Sequence, residues 1–78
     1  MPKAKRQMKP KQIPAFVNEV IKAGCNIRAV GDVGYVIGDI DEQIRAADEL
    51  DKITNKFGER DLLKLKIVDH LRLIGRGI

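Results

Sequence analysis

Residues 24–39 have the sequence Gly-Cys-Asn-Ile-Arg-Ala-Val-Gly-Asp-Val-Gly-Tyr-Val-Ile-Gly-Asp, and they decide the fold of this 78-residue chain. Only in this segment does the helical spacing of apolar residues give way to short β-branched runs interrupted by glycine. Two such runs, on either side of a Gly-Asp-Val-Gly turn at residues 31–34, predict a β-hairpin. Because a two-stranded ribbon alone is only marginally stable in water, we expect helices to pack against it.

One helix is predicted before the hairpin and two after it. The first runs from about Pro14 to Ala23, and its apolar stripe consists of Ile13, Phe16, Val17, Val20 and Ile21. The second extends from its cap at Asp39 to about Lys56, with a broad apolar half-cylinder of Ile40, Ile44, Ala46, Ala47, Leu50, Ile53 and Phe57. The third runs from about Arg60 to Leu73, with a core stripe of Leu63, Ile67, Leu71 and Ile74. The predicted fold class is α+β: a small αββαα domain with a two-stranded antiparallel hairpin packed on three helices.

The N-terminal residues 1–12 are predicted to form a disordered basic arm, and residues 13–78 a single domain. The arm contains five basic side chains, no acidic one and two prolines, without helical or strand periodicity. The rest of the chain is polarised, because acidic residues dominate residues 13–54 and basic residues dominate residues 55–78. Such an arm either keeps the chain soluble or binds phosphates in a salt-sensitive, sequence-independent way.

The composition argues against a membrane protein and a secreted protein. No apolar run approaches the roughly 20 residues that cross a bilayer, and the basic N-terminus is not followed by a continuous apolar segment. The single cysteine, Cys25, cannot form an internal disulfide. We therefore expect a cytoplasmic protein without a membrane contact.

The sequence offers little for catalysis, so we expect no enzyme and no cofactor. It contains no serine, one threonine (Thr54) and one histidine (His70). Cys25 and His70 are the only nucleophile–base pair that could be considered. Asp39, Asp41 and Glu42 are assigned to capping the second helix rather than to a metal site, because they lack the ligand spacing of a calcium loop.

The third helix is apolar on two sides. Opposite its core stripe it carries Leu62, Leu65 and Leu73, with Val68 on the flank. A chain this short has little other structure to cover both sides. These four residues are therefore predicted to form a homodimer interface.

The element order resembles the N-terminal docking domains of hybrid nonribosomal peptide/polyketide synthases, the tubulysin type. The similar motifs are Ile21-Lys22-Ala23-Gly24 before the first strand, Gly31-Asp32-Val33-Gly34 in the hairpin, and the final-helix sequence Lys64-Leu65-Lys66-Ile67-Val68-Asp69-His70-Leu71-Arg72. The resemblance covers about residues 13–74. It implies a dimer whose exposed hairpin captures a short segment of another protein by strand addition. Because a basic arm precedes the first helix and no synthase domain follows Ile78, we expect the resemblance to extend to shape and style of binding only.

The sequence thus predicts a small non-enzymatic interaction module that binds a protein partner at the hairpin edge through Arg28, Tyr35 and Val36. The alternative is a nucleic-acid-binding accessory protein. Its contact residues would come from the arm and the last helix: Lys3, Lys5, Arg6, Lys9, Lys11, Lys64, Lys66 and Arg72.

Overall fold

The computed structural model of the protein describes residues 6–78, and it confirms the predicted α+β class and αββαα order. The elements in this range are α1 (Ile13–Lys22), β1 (Ile27–Val30), β2 (Val33–Val36), α2 (Ile40–Phe57) and α3 (Lys64–Leu73). Short 3-10 turns at Pro10–Gln12 and Asp61–Leu63 lead into α1 and α3. β1 and β2 pair antiparallel as one hairpin.

The hairpin closes through a two-residue turn rather than the four-residue turn that the sequence suggested. Val30 pairs with Val33, so only Gly31 and Asp32 lie between the strands. Gly31 has a φ of +60°, which suits the first central position of a type II′ turn. Val33 and Gly34 therefore belong to β2.

The core lies between the inner face of the hairpin and the helices. Ile27 and Ala29 of β1 point inward, and α3 packs against both strands while α1 packs against α2 and α3. At the centre, Phe16 meets Phe57 edge to face with the ring centroids 6.0 Å apart. The buried apolar residues are Met8, Ile13, Phe16, Val17, Val20, Cys25, Ile27, Ala29, Ala46, Ile53, Leu63, Ile67, Val68 and Leu71.

The apolar stripes predicted for α1 and α3 are largely confirmed. The first four residues of the α1 stripe are buried, and Ile21 packs half-buried against them. In α3 and the turn before it, Leu63, Ile67 and Leu71 are buried, but Ile74 is 45% exposed because it follows the last helical turn.

The half-cylinder predicted for α2 is wrong for Ile40, Ile44 and Ala47, which are exposed. Ala46 and Ile53 are buried and Leu50 and Phe57 half-buried, whereas Ile40 is 76% and Ile44 65% exposed. The reason is length. α2 has 18 residues, about 27 Å, and α1 has 10, about 15 Å, so α1 cannot cover the whole of its neighbour.

The N-terminal segment is not a disordered arm as far as residue 12. Met8 is 3% exposed, and its N–H donates to the Glu59 carbonyl at 2.8 Å, while the Glu59 N–H donates to the Arg6 carbonyl at 2.7 Å. The Arg6 guanidinium also donates to the Lys56 carbonyl at 2.7 Å, at the C-terminal end of α2. Residues 6–12 therefore belong to the domain, and the rest of the predicted arm, residues 1–5, lies outside the described residues.

The C-terminus adds a short parallel pairing to the outer edge of β1. The Ala29 N–H donates to the Arg76 carbonyl at 2.8 Å, and the Ile78 N–H donates to the Ala29 carbonyl at 2.9 Å. The C-terminus therefore covers the outer edge of β1, and the open edge of the hairpin is that of β2.

The contact of the N-terminal segment with Gly58 gives a stability test. Gly58 has φ 105° and ψ 174°, a region that only glycine occupies readily, and an added Cβ would lie 2.9 Å from the Arg6 carbonyl oxygen. We expect Gly58→Ala to lower the free energy of unfolding by about 3 kcal/mol through strain and the clash. Urea denaturation followed by circular dichroism measures this change.

Gly24→Ala is the matched control for Gly58→Ala. Gly24 also has a positive φ, +90°, but an added Cβ there would meet no atom within 4 Å. Backbone strain alone should therefore lower the free energy of unfolding of the control, by about 1–2 kcal/mol. Equal losses in the two variants would contradict the close packing of residues 6–8 on Gly58.

Candidate partner-binding site

The outer edge of β2 exposes main-chain hydrogen-bonding groups. The Ile37 N–H donates to the Asn26 carbonyl at 2.9 Å, and hydrogen-bonded pairs alternate from there, so that Arg28 and Tyr35 form the next one. The main-chain groups of Gly34 and Val36 consequently point away from β1. Gln43 of α2 donates its side-chain amide to the Val36 carbonyl. Within residues 6–78, the Gly34 N–H, the Gly34 carbonyl and the Val36 N–H have no hydrogen-bond partner.

The structure places two of the three predicted partner-binding residues together. Arg28 and Tyr35 are cross-strand neighbours on the outer face, where Tyr35 is 53% exposed and Arg28 is half-buried, its Nε donating to Asn26 Oδ1 at 3.3 Å. Val36 pairs with Ile27 on the opposite face and packs half-buried against the core. Its side chain is therefore part of the domain interior, and its N–H is the one main-chain group that it leaves free at the open edge.

A pocket of about 320 Å³ lies under the same edge, on the inner face of the hairpin. Its lining residues are Phe16, Ile27, Asp32, Val33, Gly34, Arg60, Lys64, Ile67 and Val68. Gly34 contributes only main-chain atoms to this lining. A Cβ there would make ordinary contact with Leu71 Cδ1 at 3.6 Å, so Leu71 packs directly beneath Gly34 and the pocket lies beside this contact.

The mouth of this pocket has a positive balance of charge, with Arg60 and Lys64 against Asp32. Arg60 is held in place, since its Nη1 donates to Thr54 Oγ1 at 3.0 Å and its guanidinium carbon lies 5.9 Å from the centroid of the Phe16 ring. Lys64 is exposed and has no hydrogen bond or ion pair with any described residue. The pocket thus combines an apolar floor with one fixed and one available cation.

A second apolar surface lies on α3 and the turn before it. Leu62, Leu65 and Leu73 are 79%, 62% and 82% exposed, as predicted for the homodimer interface. Val68, the fourth predicted residue, is only 2% exposed and faces the hairpin, so its assignment to this surface is wrong. In the sequence, Val68 lies on the flank between the two apolar sides of the helix, so the spacing alone does not show which side it belongs to.

The basic residues predicted for nucleic-acid binding lie on several sides of the described part of the chain. Arg6 binds the C-terminal end of α2, Lys64 lies at the pocket under β2, and Lys66 lines a groove beside Pro10 on another side of α3. Arg72 donates to the Gly31 carbonyl. Lys9 and Lys11 are exposed at the first 3-10 turn, and Lys3 and Lys5 lie outside the described residues.

Asp39 caps the start of α2, as the sequence predicted. Asp39 Oδ1 accepts the Glu42 N–H at 2.9 Å, which caps the first turn. Residues 6–78 contain no cluster of three or more side chains suited to holding a metal ion. None of their helices has the length and apolar character needed to cross a membrane.

The sequence reasoning missed the pocket because it treated Gly34 as a turn residue. Had the turn been limited to Gly31 and Asp32, the alternation of β2 would have placed Gly34 on the inner face, where the absence of a side chain leaves space. No local sequence pattern indicated that Arg60 lines the pocket, since its position depends on how the segment between α2 and α3 crosses Phe16.

Comparison with known proteins shows the family of this chain. The sequence profile of the Y4lK family matches residues 11–78, and the chain belongs to that family. It is 55% identical over 73 residues to the uncharacterized protein y4lK of Sinorhizobium fredii (strain NBRC 101917 / NGR234), in an alignment that covers 88% of this chain and 55% of the relative. The chain thus spans about half the length of this relative. No solved structure matches the chain.

Cys25 gives a test of the buried corner where β1 begins. Burial raises the pKa of the Cys25 thiol, the negative charge of Glu49 raises it further, and Arg45 opposes them. A raised pKa leaves less thiolate at pH 8, and the thiol is 6% exposed. We expect iodoacetamide to alkylate the folded chain about tenfold or more slowly than the urea-unfolded chain, as measured by mass spectrometry. Similar rates in both states would contradict the burial of Cys25.

Proposed function

We propose that this member of the Y4lK family is a small non-enzymatic docking module that binds an extended segment of a protein partner as an additional strand on β2. The observation that carries the proposal is the open edge at Gly34 and Val36, whose three unpaired main-chain groups can bind a neighbouring strand. The other edge of the hairpin is already covered by Arg76–Ile78. An incoming segment is therefore directed to β2.

The side chains around this edge support protein binding. Val33, Tyr35 and Ile37 alternate along the outer face and are 49%, 53% and 41% exposed. At the end of β2 the exposed Ile40 and Ile44 of α2 extend the apolar character beyond the hairpin. An apolar surface of this kind is typical of a protein interaction site, and these side chains carry no positive charge to bind a phosphate backbone.

A second copy of the chain is the proposed occupant of the surface formed by Leu62, Leu65 and Leu73. The same surface carries Lys66 and Arg72 around Asp69, and Arg72 Nη1 lies 3.9 Å from Asp69 Oδ1. In a two-fold interface each residue meets the partner's equivalent surface, so Asp69 of one copy can pair with the basic residues of the other. The charge pattern is thus self-complementary around three exposed leucines.

Gly34→Pro tests the strand addition. It removes the outward N–H of residue 34 but leaves the hydrogen bonds between β1 and β2 in place, since that N–H does not face β1. Octapeptides selected from a random display library on the unmodified chain should bind this variant about tenfold or more weakly, because a hydrogen bond is lost and the proline ring crowds the edge. Fluorescence anisotropy with labelled peptides measures the affinity.

Gly34→Ala is the matched variant, because it adds a carbon at the same position and keeps the N–H. It should bind the selected peptides more tightly than Gly34→Pro does, and circular dichroism should show both variants folded. Equal affinities, or a library that yields no binding peptide, would contradict the proposal. Tight binding of random duplex DNA at low salt, in place of peptides, would support the nucleic-acid alternative.

Leu65→Asp tests the self-association. Placing a charge at the centre of the three leucines should turn a dimer into a monomer in sedimentation velocity, without loss of stability because Leu65 is 62% exposed. Ile44→Asp is the control, since Ile44 is 65% exposed on α2 and should leave the dimer intact. A monomeric unmodified chain at high concentration, or equal effects of both substitutions, would refute the α3 dimer.

A further inference from the structure

We infer that the partner segment carries one large apolar side chain beside an acidic group, and that the pocket under Gly34 receives this side chain. The inference rests on the proposed strand addition at β2, and it names what that site selects. Main-chain pairing alone accepts many sequences, whereas pockets for alternate side chains discriminate among them.

The register of the hairpin directs a side chain of the added strand into the pocket. Directly opposed residues of neighbouring strands point to the same face of a sheet. A partner residue opposite Gly34 therefore points to the inner face, where Gly34 and Ile27 line the pocket together with Val68 of α3. Because Gly34 has no side chain, nothing on β2 stands in the way.

The floor of the pocket requires an apolar occupant. Phe16, Ile67 and Val68 are 1%, 5% and 2% exposed, so they are core side chains that the pocket reaches from outside. A volume of about 320 Å³ is at the lower end of the range of ligand sites and accommodates one side chain of leucine or phenylalanine size. Apart from Lys64 at the mouth, the lining residues that α1 and α3 contribute are all apolar.

The rim requires an acidic neighbour. Arg60 is fixed between Thr54 and the Phe16 ring, so its charge remains at the mouth of the pocket. Lys64 adds a second positive charge, against the single carboxylate of Asp32. A glutamate or aspartate two residues from the apolar anchor shares its face of the added strand and would therefore meet a favourable potential, and a lysine there would be repelled.

The test uses fluorescein-labelled, N-acetylated and C-amidated octapeptides of threonine and serine with one central leucine and a glutamate two residues away on either side, so that all three side chains share one face of the strand. Anisotropy on the full chain measures their affinity. Replacing the central leucine by alanine should weaken binding about tenfold or more. Replacing the flanking glutamates by lysine should weaken it about two- to fivefold, as expected for partly exposed ion pairs.

A charge reversal in the protein tests whether Lys64 causes the preference for acidic peptides. Lys64→Glu should abolish or invert the preference for glutamate over lysine in the peptide. Lys22→Glu is the matched control, because it makes the same charge change at an exposed lysine of α1 that does not line the pocket, and it should keep the preference. Equal effects of the two substitutions would overturn the role of the pocket rim.

The outcomes separate this inference from the proposed function. If peptides bind and Gly34→Pro weakens them, but leucine and alanine peptides bind alike, strand addition stands and the pocket inference fails. If no peptide binds, both fail. Isocaproate has the leucine side-chain shape and a carboxylate but no peptide backbone, so it should not compete at low millimolar concentration. Competition by isocaproate would overturn the inference in favour of a small-acid site.

Discussion

The packing of the hairpin on α3 is the constraint on which the rest of the structure depends. A free two-stranded ribbon is marginal, so its inner face must be buried to hold it in place. Ala29 and Leu71 are both fully buried where β1 meets α3, and Gly34 lets α3 approach β2 closely. Because one face of the hairpin is used in this way, its other face and the edge of β2 remain exposed.

The local order of elements follows from the sequence because it depends on nearby residues. Glycine at 24 and 58, the cap at Asp39 and the alternation of the two strands define where helices and strands begin and end. The stripe of α1 was predictable for the same reason. Apolar spacing does not report how long the covering neighbour is, however, so the exposure of Ile40 and Ile44 could not be predicted.

Contacts between distant segments account for the other differences. Arg6 and Met8 bind Glu59, and Arg76 and Ile78 bind Ala29, across separations of about 50 residues that leave no periodic signal. In the candidate site, too, some features follow from nearby residues and others depend on contacts between distant segments. The shared face of Arg28 and Tyr35 follows from strand alternation, whereas the pocket needs α1, α3 and the segment before α3 to meet under β2.

The shortness of the open edge determines how this site can bind specifically. β2 has four residues, and Gln43 already occupies the Val36 carbonyl, which leaves three main-chain groups. Short edges of this kind limit indiscriminate pairing between sheets. Three hydrogen bonds at about 1 kcal/mol each give little net affinity after the cost of ordering a flexible segment. In the proposed strand addition most of the binding energy must then come from side chains, and the apolar pocket beside Gly34 is where this edge offers a side chain an apolar contact.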